Sequence, residues 1–131
     1  MNEDEHERIC SLPDYLPASA VEEELMRSMA SEGRAPLDEA ASERILDALF
    51  ELLMRQYHTW QPLPYERRSQ LAAFAFRRWH RGTEEATDRL WSVLDMLGFE
   101  EASQELSSLD QATIRADMFE DMPFDPYADM R

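Results

Sequence analysis

The residues best suited to chemistry are few: one cysteine, Cys10, and three histidines, His6, His58 and His80. Zinc sites legible in a sequence rely on Cys and His recurring at short fixed intervals, because each pair must reach one tetrahedral ion. The histidines form no such pattern with Cys10, and His-Glu-x-x-His is missing. No metal is expected. Cys10 shows no basic surroundings that would hold a reactive thiolate, so it reads as an unremarkable thiol near a charged terminus. His58 and His80 fall near helix ends, where an imidazolium suits the helix dipole.

Paired carboxylates are plentiful, at Glu22/Glu23/Glu24, Glu84/Glu85 and Glu100/Glu101, but 28 acids in 131 residues produce such pairs by composition alone. Glycosidase and di-metal sites need acids facing one another inside a core, the latter with histidine support. The sequence has neither a Gly-rich phosphate loop nor a Gly-x-Ser-x-Gly elbow. With no constellation to carry a reaction, neither an enzyme nor a cofactor is expected.

The elements that must position these residues are helical. Apolar residues make up 44% of the chain, too many for full disorder, and glycines number only three. Ala, Leu, Glu, Arg and Met dominate, all good helix formers. The expected fold is all-α, a small single-domain bundle of about five to six helices over 19–118. An irregular acidic lead-in over 1–18 and an extended acidic and aromatic tail over 119–131 flank it. Ser19-Ala-Val-Glu22 reads as a capping box opening a helix over about 20–31, ended by Gly33. The next helix runs from about 37–40 to Tyr57. Its apolar arc of Ile45, Leu46, Leu49, Phe50, Leu52, Leu53 and Tyr57 is wide enough to mark the central, most buried helix. Pro64 opens a helix over about 64–80, stopped by Gly82. Thr83 caps one ending at Gly98, where Phe99 can fold back on Leu94 in a Schellman motif. Two short helices over about 100–107 and 108–118 complete the set.

The formal net charge is −15, and all 13 basic residues are arginines. Segment 1–40 carries −8, whereas 62–82 carries +4, so one basic helix sits in an acidic chain. At 100° per residue, Tyr65, Leu71, Ala72, Ala75, Phe76 and Trp79 form its core side. Arg67, Arg77, Arg78 and Arg81 gather opposite, with Phe74 among them. This stripe either packs against the acidic faces of its neighbours or forms a contact surface, since Arg and aromatics are enriched at interface centres. A dimer seam on that face would conceal both.

The acidity argues against direct binding to nucleic acid or an anionic membrane, both polyanions. No apolar run reaches the 18 or so residues of a membrane span, and no signal peptide is apparent, so a cytoplasmic site is expected. The expected function is an acidic, protein-binding inhibitor of immunity or phage anti-defence type. It would occlude a basic, nucleic-acid-handling partner by presenting carboxylates where phosphates bind. The contact residues are Glu22 and Glu23, then Glu84, Glu85, Asp88 and Asp95, with Phe119, Phe124 and Tyr127 of the tail. Arg67, Phe74, Arg77, Arg78 and Arg81 form a second candidate interface. Two alternatives stand: a secretion chaperone or adaptor with an apolar groove, to which the eight methionines could contribute, and an antitoxin-like regulator using the Arg-rich helix.

Overall fold

Asn2 caps the first helix: its side-chain oxygen accepts from Glu5 N at 2.8 Å, and Glu3, Asp4 and Glu5 place negative charge in the positive first turn. The computed structural model describes residues 1–32, 38–80 and 84–99, and there the chain is all-helical. Five helices follow in order: α1 (Glu3–Cys10), α2 (Ala18–Glu32), α3 (Glu39–Tyr57), α4 (Tyr65–Arg78) and α5 (Glu84–Leu97). The all-α single-domain bundle expected from the sequence is what these residues form. The readings at 33–37, 81–83 and 100–131, including Arg81, the two short helices and the tail with Phe119, Phe124 and Tyr127, lie outside the described residues.

The lead-in departs from expectation. Its charge and its prolines suggested irregular chain, yet 3–10 is a helix and buries Ile9 completely. The cause is tertiary. Arg55 on α3, 5% exposed at its side chain, donates to the carbonyls of Cys10 at 3.3 Å, Leu12 at 2.9 Å and Pro13 at 3.1 Å. A cation thus satisfies the end of α1 and the chain leaving it. Arg44 Nε donates to the Met1 carbonyl at 2.6 Å, and Arg8 forks between Glu5 at 2.6 Å and Glu24 of α2 at 2.7 Å. That fork holds Glu5 below the ordinary carboxylate range, chiefly through its hydrogen bond with Arg8.

α3 is the central helix, packing against all four others. Ile45, Leu46, Leu49, Leu52 and Leu53 are fully buried, each worth roughly 1.5–3 kcal/mol relative to exposure. Two members of the expected arc differ: Phe50 is half-buried and Tyr57 exposed, because the arc's edges run past the neighbouring helices. Asp38 caps α3, accepting from Ala41 N at 2.7 Å. α2 starts at Ala18, with Val21 N donating to the Pro17 carbonyl at 3.2 Å, so Ser19 lies inside the first turn and does not cap it. α5 ends as expected: Gly98 has φ 88°, its N donates to the Asp95 carbonyl at 3.0 Å and Phe99 N to that of Leu94 at 2.8 Å. Those two bonds are the Schellman pair.

Candidate functional site

α1, α3 and α5 meet around a cleft of about 570 Å³ lined by His6, Glu43, Arg44, Asp47, Glu85, Asp88, Arg89 and Ser92. Asp47 stands at its centre. One carboxylate oxygen lies 2.8 Å from Arg89 Nε, and the other lies 2.7 Å from His6 Nε2. Arg89 also lies over the Phe50 ring at 4.8 Å, which fixes the plane of its guanidinium. Arg44 is turned toward Met1 and Glu3. Both arginines of the cleft are therefore engaged within the protein.

The acids at the rim are not. Glu85 and Asp88 are exposed, as is Glu84 just outside the lining, and no basic side chain among the described residues reaches any of them within 4 Å. Asp95, two turns beyond Asp88 on α5, is likewise exposed. Glu22 and Glu23 lie on α2, away from this cleft. Glu22 pairs with Arg67 at 3.4 Å and Glu23 with Arg27 at 3.6 Å. The acids singled out in the sequence thus fall into two groups, one unpartnered on α5 and one neutralised on α2.

The arginine stripe of α4 is largely taken up inside the fold. Phe74 is 6% exposed and Arg78 is buried, while Arg67 is half-buried against Glu22 and Gln70. Arg77 is exposed. Phe74 was placed among the cations by the helical wheel; it is buried because α4 is covered on nearly every side, with Leu71 to Phe76 all in the core. The sequence also gave no reason to single out Arg68. Fully buried, it donates to the Leu97 carbonyl at 3.2 Å and lies 4.6 Å from the Tyr65 ring, tying α4 to the end of α5.

Cys10 is not a loose thiol. It follows His6 by one helical turn, and both face Asp47 across the α1–α3 contact: Sγ lies 3.5 Å from His6 Nε2 and 3.9 Å from Asp47 Oδ2. Burial raises the thiol above its ordinary pKa, and the nearby Asp47 and Glu51 carboxylates push the same way. At neutral pH it stays protonated, unlike a catalytic nucleophile. Asn2 with Glu5 three residues on, followed by His6 and Cys10 at helical spacing, was the available signal. The charge and the prolines of 1–18 mask it.

A second exposed feature lies at the far end of α3. Tyr15 is 77% and Trp60 70% exposed, beside exposed Met54 and Tyr57. The Tyr57 and Trp60 rings are 6.3 Å apart, and Tyr15 stacks on His58 at 5.3 Å. Trp60 has φ 57°, a left-handed conformation unusual for a bulky residue. None of the described helices is long and apolar enough to cross a membrane. Comparison of the chain with protein-family models, with curated proteins and with solved structures finds no match.

Proposed function

We propose that the protein acts by binding, as an acidic inhibitor that occludes a basic, nucleic-acid-handling protein partner. The observation that carries this reading is the rim of the α5 cleft. Glu85 and Asp88 stand exposed there without basic partners among the described residues, while Arg44 and Arg89 are engaged on the protein's own groups. Carboxylates held on a rigid helix at the edge of a cavity suit the cationic groove of a protein that binds phosphates. The long-range field of a −15 chain speeds encounter with such a partner. The paired acids of α2 and the interior arginines of α4 contribute little to such a surface. Charge reversal at Glu85→Lys with Asp88→Lys tests the reading. In affinity recovery from the native host at low salt, the wild-type chain is expected to hold a basic protein and release it near 0.5 M salt, where exposed charges are screened beyond about 4–5 Å. The double variant, folded by circular dichroism, is expected to hold none, and recovery undiminished by the variant overturns the surface. The adaptor reading is favoured by one feature, the exposed Tyr15, Tyr57 and Trp60 patch. It requires instead a partner retained at high salt and lost on Trp60→Ser.

A further inference from the structure

We infer that His6, Cys10 and Asp47 form a binding site for a borderline-soft divalent cation of the zinc class, at the floor of the α1–α3–α5 cleft. The geometry that points to it is convergence on one point. His6 Nε2, Cys10 Sγ and Asp47 Oδ2 are separated by 2.7, 3.5 and 3.9 Å. Ligand atoms around a tetrahedral Zn²⁺ with these donor types lie about 3.3–3.6 Å apart, from the usual Zn–N, Zn–O and Zn–S lengths. A small opening of the His6–Asp47 contact and closing of the Cys10–Asp47 one brings all three to those values.

A thiol–imidazole–carboxylate relay for catalysis is the competing arrangement, and the geometry opposes it. Such a relay places the thiol on one imidazole nitrogen and the carboxylate on the other, so that the ring passes a proton between them. Here the thiol and the carboxylate both approach Nε2. Three donors crowded on one point suit chelation.

The supports are also those of a ligand set. His6 and Cys10 sit one turn apart on α1, a spacing that aims both side chains at one ion. Asp47 comes from α3, 37 residues beyond Cys10, so the ion bridges two helices. The carboxylate oxygen not used is held by Arg89 Nε at 2.8 Å, the outer-shell hydrogen bond that fixes a ligating carboxylate. His6 and Asp47 both line the cleft, which leaves a fourth position for water or for a donor from a bound partner. On binding, the Cys10 S–H proton passes to solvent as the S–metal bond forms, with no change of oxidation state. Thiolate and carboxylate together match the charge of the ion. The site is independent of the binding function proposed above.

Cobalt(II) is the probe, added to the reduced full-length chain. Cys10 is the only cysteine, so any sulfur-to-cobalt charge-transfer absorption reports that residue. The expected result is such an absorption with the visible bands of a four-coordinate centre, saturating at one Co²⁺ per chain and abolished by Zn²⁺. His6→Gln and Asp47→Asn each leave the thiol in place and are expected to weaken binding at least about tenfold. Glu7→Gln, an exposed acid of the same helix, leaves it unchanged. Wild-type chain that gives no charge-transfer absorption overturns the site without any variant. Absorption that survives both His6→Gln and Asp47→Asn also overturns it, because the thiol alone would then hold the metal.

Discussion

Ser42 illustrates how much one small polar side chain decides in this core. Fully buried on α3, its hydroxyl donates to the Arg78 carbonyl at 2.8 Å and accepts from His80 N at 2.9 Å. It therefore ties α3 to a carbonyl at the end of α4 and to an amide just past it. Ser42→Ala removes both bonds while changing the volume little. We expect a loss of about 1–3 kcal/mol, the net contribution of two hydrogen bonds at about 0.5–1.5 kcal/mol each, read as a lower midpoint in urea with an unchanged slope. Nothing in the sequence distinguishes Ser42 from the neighbouring positions, because its role depends on where α4 ends. Cys10 and His6 are a different case. Their spacing was legible, but the third member, Asp47, lies 37 residues beyond Cys10 and joins them only through packing.

At the scale of elements, α1 is the instructive case. Eight residues are too few to form a stable helix alone in water, and only docking onto α3 sustains it. Arg55 is the main polar tie, through the carbonyls of Cys10, Leu12 and Pro13 and a 3.0 Å ion pair with Glu51. Replacing it with methionine keeps much of the bulk and removes every one of those bonds. Arg55→Met is expected to cost about 3 kcal/mol, since it strips the partner from several carbonyls and from a half-buried ion pair. Hydrogen exchange should show the amides of α1 losing protection ahead of those of α3. Uniform loss across both helices would mean that α1 does not open as a separate unit. The other helices were better marked by the sequence, because their apolar spacing and caps are local signals: the end of α5 at Gly98 and Phe99 agrees with its expected motif bond for bond. Ser19 was a miss of the opposite kind, a capping signature that went unused once the helix began at Ala18.

For the whole molecule the governing quantity is a net charge of −15, with α5 acids at the cleft that have no basic partner among the described residues. Self-repulsion on that scale destabilises the compact state, and added salt screens it. The melting temperature is expected to rise between low salt and about 0.2 M NaCl, where the screening length falls below about 10 Å. The rise should shrink in the Glu85→Lys, Asp88→Lys variant, which removes part of the repulsion. A melting temperature that falls with salt would show instead that ion pairs such as Arg8 with Glu24 dominate. By itself the sequence determined the class of fold, the central place of α3, the C-terminal cap of α5 and the acidic character of the surface. These follow from composition, from 3.6-residue periodicity and from local turn chemistry, all of which act between near neighbours in the chain. Only the tertiary structure decided that 3–10 is helical, that Phe74 and Arg78 face inward, which acids keep no partner, and that His6, Cys10 and Asp47 meet. Each of those depends on contacts between residues far apart in sequence, which helical periodicity does not encode.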